Sequence, residues 1–325
     1  MVLHKKIVIV FFIIFALISA WYISGFVIYP NLQKRIEFVD EILKGKSVQP
    51  YQYRVLKPFL GKKIGSLIPF NGHIKHFVGF SILNFFVFFG IYFLFFNYLK
   101  IFYDEKISFI GVLILQILIP LSVSGFYMEG DFITLLFYTV GLMLLFKNKQ
   151  YFLPVLMFLA ALNREQFIFF SVWHFIFLYS FKRLDKKNLF ILFLSVIMFW
   201  AGYHLPRLYF GIRENPYSME IHLKNNTDPF WLYLKIIPLW ISEIAGFFIL
   251  AVYAFRKSSL FFRLLLISLI PYTAAFYVKA NIWELAKYLP AMLVLIPMAL
   301  GALTEERQTS GPAEKSASYP PAPLQ

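Results

Sequence analysis

Long apolar runs, separated by short polar and basic segments, dominate the chain. Because a helix needs about 20 mostly apolar residues to cross the hydrocarbon core, this pattern predicts about ten membrane-spanning helices. The predicted spans are 7–29, 76–98, 108–126, 132–147, 151–163, 166–181, 189–210, 231–255, 260–278 and 289–303. The fourth, fifth and sixth are short, so they are expected to tilt or to cross incompletely. The predicted fold class is therefore all-α, a polytopic transmembrane helix bundle.

Composition supports a membrane protein and excludes most soluble classes. Of the 325 residues, 60% are hydrophobic and 15% are charged, against about 45–50% and about 25% in soluble domains. The net charge of +14 does not indicate a nucleic-acid partner, because the basic residues lie in short clusters between apolar runs. The chain has no Cys, which excludes disulfides and thiolate catalysis. The six His residues show no metal-binding spacing, so a His-built metal site is not expected.

The distribution of basic residues predicts an orientation. With Lys5 and Lys6 in the cytoplasm, ten crossings place both termini and the short basic loops inside. The loop 30–75 opposes this assignment, because it carries nine Lys and Arg residues on the outer side. Residues 1–303 are expected to form the bundle, and 304–325 a disordered cytoplasmic tail rich in Glu, Ser, Pro and Ala. The style of the sequence indicates a bacterial inner or plasma membrane.

The first outer loop is predicted to contain two interfacial helices. Residues 31–44 have apolar positions at helical spacing, and Gly45 is suited to end this helix. A second amphipathic stretch follows at 56–68. Between them, aromatic and basic residues stand between Pro50 and Pro58. These helices are expected to contact membrane lipids, and their bases are suited to a phosphate-bearing lipid.

Acidic residues are concentrated at the predicted outer ends of the helices. Only Glu243 falls inside a predicted span. A charge at membrane depth usually faces a cavity or a partner. Since five separate outer loops each supply an acid or a base, the pattern is typical of a site at one face of a bundle. The outer acids are Glu37, Asp40, Glu41, Glu129, Asp131, Glu165, Glu214, Glu220, Asp228 and Glu284.

Four segments, in this order, resemble the GT-C superfamily of membrane glycosyltransferases. They are VDEILKGKSVQPYQYRVLKP, GDFITLLFYTVGLMLLF, LNREQFIFF and WELAKYLPAMLVLIP. The resemblance extends over about residues 1–303, although each motif is short. The sequence departs from the family pattern at Gln166, where a small hydroxyl residue is more usual, and at Lys287, where Arg is expected.

The resemblance implies an inverting enzyme that moves a sugar from a polyprenyl-phosphate-linked donor to the hydroxyl of a lipid, glycan or protein acceptor. Asp40 is the expected catalytic base, with Glu41 and Glu37 as alternatives. The expected phosphate-binding residues are Arg54, Arg164, Lys57 and Lys287. The expected site-lining residues are Tyr53, Asp131, Glu165 and Glu284.

The resemblance also implies that the site residues lie close together in the fold. If the enzyme interpretation is correct, five residues converge on one outward-facing cavity: Asp40, Arg54, Asp131, Arg164 and Glu284. No cofactor is certain. Outer carboxylates could hold a divalent metal ion, although no spacing demands one.

Other interpretations of the same residues stay open. Asp40 could be a solvated helix charge, the basic residues of the first loop could bind anionic headgroups, and Glu284 and Lys287 could simply pair with each other. A lipid or solute transporter, or a flippase, would place charged residues deep in the spans. A non-catalytic assembly protein would tolerate the loss of Asp40.

Overall fold

The computed structural model describes residues 5–70 and 72–304. These residues form helices and no strands, which confirms the all-α prediction. The helices are α1 (Lys5–Tyr22), α2 (Leu32–Leu43), α3 (Leu56–Ser66), α4 (Gly72–Leu99), α5 (Glu105–Leu121), α6 (Gly130–Phe146), α7 (Leu153–Ala161), α8 (Phe170–Ser180), α9 (Lys186–Phe210), α10 (Met219–Thr227), α11 (Pro229–Ala254), α12 (Leu260–Lys279) and α13 (Leu289–Leu303). Apart from Thr304, the predicted disordered tail lies outside the described residues.

Each of the ten predicted spans contains a helix. Seven helical segments in the described chain are long and apolar enough to cross a membrane. The other three are α5, with 17 residues, and the shorter α7 and α8, with 9 and 11 residues. The fourth predicted span is longer than expected, because a 3₁₀ turn extends it to Phe126–Phe146.

The exterior of the bundle is apolar. Large hydrophobic side chains are exposed along most of the long helices, whereas a soluble monomer rarely exposes such a continuous apolar surface. The chain is therefore an integral, multi-pass membrane protein. Examples of these exposed side chains are Val10, Leu17, Trp21, Phe190, Phe193, Ile197, Phe248, Ile249 and Tyr253.

Both segments of the first loop that were predicted to be helical form helices, α2 and α3. A π-helical turn and a 3₁₀ turn join α1 to α2, so helical structure continues from Lys6 to Leu43. Gly45 follows the end of α2 with φ +72°, a conformation that favours glycine at a helix C-terminus. A Cβ there would also lie 2.6 Å from Cδ1 of Phe210, so this turn packs directly against the end of α9.

Glycines allow α3 to lie directly on α4. A Cβ built on Gly79 of α4 would lie 2.6 Å from Cα of Gly65 and 3.0 Å from the carbonyl oxygen of Gly61, both in α3. The two helix backbones are therefore in contact. This contact matters for the site, because α3 carries Lys57 and α4 carries the side chain that Lys57 binds, Asn84.

The alternating direction of the helices brings five connecting segments to one end of the bundle. We call this end the polar end; it comprises residues 44–55, 122–129, 162–169, 211–218 and 280–288. Asn226 attaches α10 to the end of α12, since its Nδ2 donates to the carbonyl oxygens of Tyr277 and Ala280 at 2.7 and 2.8 Å. It also accepts a hydrogen bond from the backbone N–H of Ile282 at 3.0 Å.

The glycine contact gives a test of the fold. We expect Gly79→Ala to lower the stability of the purified protein by about 1–3 kcal/mol, because the added methyl forces α3 away from α4. Thermal unfolding in detergent measures this. Gly246→Ala is the matched control: no atom lies within 4 Å of its built Cβ, so it should not destabilise the protein. Equal Tm values for the two variants would contradict the close packing of α3 on α4.

Candidate functional site

A buried carboxylate joins the first loop to the bundle. Nε of Arg35 donates to Oε2 of Glu129 at 2.6 Å, and Nζ of Lys57 lies 3.2 Å from Oε1 of Glu129. Asn84 donates to that same Oε1 at 3.0 Å. Arg35 is 1% and Glu129 4% exposed. A buried charge is tolerated when it is paired and hydrogen-bonded, and Glu129 meets both conditions.

Lys57, one of the expected phosphate-binding residues, belongs to this network. Its Nζ donates to Oδ1 of Asn84 at 3.0 Å. Burial lowers the pKa of Lys57 to about 8, although Glu129 acts in the opposite direction.

A second cluster is formed by Arg54, Glu165 and Arg207. Nε and Nη2 of Arg54 donate to Oε2 of Glu165 at 3.3 and 3.1 Å, and Nη2 of Arg207 lies 3.5 Å from Oε1 of Glu165. The Arg207 guanidinium also lies 4.0 Å from the ring centroid of Tyr53 and 3.5 Å from that of Tyr203. One carboxylate thus holds two arginines.

Arg54 and Glu165 in this second cluster stabilise each other's ionised form. Burial disfavours the charged form of Arg54, but Glu165, Tyr51 and Asp131 together outweigh burial and raise the pKa of Arg54 above its ordinary value. Burial likewise disfavours ionised Glu165, but chiefly Arg54 holds the pKa of Glu165 below its ordinary value.

A third pair lies deeper, between Asp131 and Arg164. Nε of Arg164 is 3.0 Å from Oδ1 of Asp131, yet the two groups are not aligned for a hydrogen bond, and neither oxygen of Asp131 accepts one from the described residues. Nη2 of Arg164 donates to the carbonyl oxygen of Tyr127 at 2.9 Å. Burial lowers the pKa of Arg164, against the opposing effect of Asp131.

The last segment of the polar end supplies Glu284 and Lys287, which form an ion pair. Asn281 donates to Oε1 of Glu284 at 3.4 Å, and Nδ1 of His222 lies 3.1 Å from Oδ1 of Asn281. Helix α10, which contains His222, is thereby attached to the segment before α13.

The clusters of Arg54, Arg164 and Glu284 border a cavity of about 480 Å³ at the polar end, which we call the main cavity. Five bases and two acids line it, so its wall carries a surplus of positive charge. Aromatic rings supply much of the remaining wall. The charged residues are Arg54, Arg164, Arg207, Lys279, Lys287, Glu165 and Glu284, and the aromatic ones are Tyr51, Phe169, Tyr203, Tyr217 and Phe276.

The structure brings together most of the residues that the sequence singled out. Arg54, Arg164 and Glu284 line the main cavity, and Asp131 lies behind its wall in contact with Arg164. Tyr53 is buried beneath Arg207, where its hydroxyl donates to the carbonyl oxygen of Gly211 at 3.0 Å. Glu165 and Lys287 also line the main cavity.

The expected convergence is wrong for Asp40. Its carboxylate contacts Lys62 at 2.8 Å and Lys44 at 3.5 Å, and it is not among the residues that line the main cavity. The reason is the rotation of α2. Asp40 follows Arg35 by five residues, about 140° around a helix, and the buried face of α2 is that of Arg35, Val39 and Ile42.

The alternative catalytic bases, Glu37 and Glu41, also lie on the exposed face of α2. Glu37 is exposed and accepts a hydrogen bond from Gln33 at 2.6 Å, and Glu41 is exposed. Neither lines the main cavity.

Sequence reasoning missed Arg35, Glu129 and Arg207 as members of the site. Glu129 was only one of ten outer acids, and its partner Arg35 lies 94 residues away. A usable signal existed for Arg207, because it is a lone base in the last turn of α9 at the end where the other charges gather. Within residues 5–70 and 72–304, no group of three or more His, Cys, Asp or Glu side chains is placed to hold a metal ion.

Comparisons with family models, with curated proteins and with solved structures find no match for this chain.

The buried and exposed ion pairs should differ sharply in energy. We expect Glu129→Gln to destabilise the protein by about 3–5 kcal/mol, because it leaves Arg35 and Lys57 buried without their counter-charge. Asp40→Asn removes a carboxylate from a partly exposed pair and should cost about 1 kcal/mol or less. Tm values in one detergent compare the two variants, and an equal loss for both would show that Glu129 is not the electrostatic anchor described above.

Proposed function

We propose that this protein is a membrane glycosyltransferase of the GT-C type, which transfers a sugar from a polyprenyl-phosphate-linked donor to an acceptor hydroxyl at the outer face of the membrane, with inversion. The observation that carries the proposal is the main cavity, where a cationic wall and two carboxylates meet at one end of an apolar bundle. Transfer from a phosphate-linked donor requires cations that bind the phosphate and a carboxylate that accepts the proton of the acceptor hydroxyl.

The arginines beside Glu165 are suited to the donor phosphate. Nε and Nη2 of Arg54 bind Glu165, which leaves Nη1 for a ligand. Arg207 is held by the same carboxylate and by two aromatic rings. Guanidinium groups bind phosphate oxygens through paired N–H donors. A bound phosphate would neutralise part of the positive surplus of the wall.

The lipid chain of the donor has an apolar surface next to these arginines. Leu208, Tyr209 and Ile212 directly follow Arg207 and are 83%, 82% and 90% exposed. An isoprenoid chain lying against these side chains would leave its phosphate beside Arg207. This supports a lipid-linked donor over a water-soluble sugar nucleotide.

Within this proposal, Glu284 replaces Asp40 as the general base. Glu284 lines the main cavity and is held in place by Lys287 and Asn281. An acceptor hydroxyl is a weak nucleophile, so a positioned carboxylate assists its attack.

The reaction balances with these groups. The carboxylate of Glu284 takes the hydroxyl proton while the hydroxyl oxygen forms a bond to the anomeric carbon. The bond from that carbon to the phosphate oxygen breaks on the opposite side, and the lipid phosphate leaves with the electron pair. Arg54 and Arg207 stabilise the negative charge that develops on it.

The decisive experiment is transfer of labelled sugar from a panel of polyprenyl-phosphate donors in membranes that contain the protein. We expect Glu284→Gln to reduce transfer by about 10²–10⁴-fold, because it removes the base but keeps the size of the side chain. Asp40→Asn is the matched control and should keep transfer near the wild-type rate.

Three results would contradict this account. Loss of transfer in Asp40→Asn with activity retained in Glu284→Gln would return the role of the base to α2. Equal activity in all variants would remove both carboxylates from the chemistry. Absence of transfer by the abundant, membrane-inserted wild-type protein with every donor would contradict the enzyme proposal itself.

A further inference from the structure

A second, smaller cavity of about 50 Å³ lies beside the main one, enclosed by α2, α3 and the segments before α6 and after α7. We call it the small cavity. One water molecule requires about 10–15 Å³ of such space. The small cavity therefore has room for a few waters or for one tetrahedral oxyanion.

More bases than acids line the small cavity. Four bases line it, and Glu129 is its only acidic residue. Both oxygens of Glu129 are already engaged by the neighbouring side chains described above. Arg35 and Lys57 together carry one positive charge more than Glu129 neutralises. The four bases are Arg35, Arg54, Lys57 and Arg164.

Arg35 has a free hydrogen-bond donor in this buried wall. Its Nε binds Glu129 and its Nη1 lies 2.9 Å from Nε2 of His76, but Nη2 has no hydrogen-bond partner among the described residues. The guanidinium is fixed over the ring of Phe80, 3.7 Å from its centroid. A buried donor without an acceptor is costly, so the arrangement favours an acceptor-rich, negatively charged ligand.

We propose that the small cavity is an anion site for a phosphate-sized oxyanion, separate from the phosphate contact at Arg54 and Arg207. Arg35 Nη2 and Lys57 would be its characteristic ligands. The inference rests on this cavity alone and does not require the transfer reaction. Because Tyr51, Arg54 and Arg164 line both cavities, an anion here would be a neighbour of a ligand in the main cavity.

The first test is titration of the purified full-length protein in detergent with inorganic phosphate. Binding is measured by thermal stabilisation and by calorimetry. We expect saturable binding to the wild-type protein. Arg35→Lys keeps a cation for Glu129 but removes Nη2, and should weaken phosphate binding by about tenfold or more. Lys62→Gln, which removes an exposed base from the same helix as Lys57, should leave this binding unchanged. Arg207→Gln at the main cavity should leave the binding that depends on Arg35 unchanged.

A second variant keeps the test valid if Arg35→Lys fails to fold. Val39 lines the small cavity but not the main one, and Val39→Met would fill the space without changing any charge. We expect it to abolish the phosphate binding that depends on Arg35. Two results would overturn the proposal: no saturable binding by the wild-type protein, or binding that is lost in Arg207→Gln and unchanged in Arg35→Lys and Val39→Met.

The source of the anion is a separate question with its own measurement. Competition with phosphate is compared for a polyprenyl monophosphate and a polyprenyl diphosphate in micelles. A diphosphate headgroup that spans both cavities should compete better than the monophosphate and should lose affinity in both Arg35→Lys and Arg207→Gln. If free phosphate is the ligand, neither lipid should displace it. Competition that is insensitive to Arg35→Lys would contradict the proposed site.

Discussion

The architecture of the polar end depends on the burial of Glu129. A carboxylate at this depth is costly unless cations accompany it, and here Arg35 and Lys57 do so from α2 and α3. These helices belong to the first connecting loop, whereas Glu129 directly precedes α6. One buried charge thus fixes the loop on the bundle and, through Lys57 and Asn84, orients α3 on α4.

Carboxylates also pair with bases around the main cavity, but there the bases outnumber the acids. Glu165 holds Arg54 and Arg207, Asp131 holds Arg164, and Glu284 holds Lys287, yet more bases than acids line the cavity. Carboxylates therefore position the cations without neutralising all of them. The remaining positive charge is what makes an anionic lipid substrate chemically reasonable at this end of the protein.

The helices could be predicted closely, because apolar runs of membrane length are a strong local signal. Arg164 and Glu284 were also foreseeable, since each lies near a span end on the same side. Arg54 was foreseeable from its place between Pro50 and Pro58 in the first outer loop. The position of Asp40 was not, because the side of α2 that faces the bundle depends on a pairing with Glu129 across 94 residues. Asp40 and Arg35 look equivalent in the sequence of an amphipathic helix, but only Arg35 has a buried partner.

We propose that the main cavity receives a lipid through its phosphate. Native mass spectrometry of the full-length protein, titrated in parallel with a polyprenyl phosphate and the polyprenyl alcohol of equal chain length, tests it most directly. We expect saturable binding of the phosphate and much weaker binding of the alcohol, with the difference lost in Arg54→Gln combined with Arg207→Gln. Equal binding of the two lipids by the wild-type protein would contradict it.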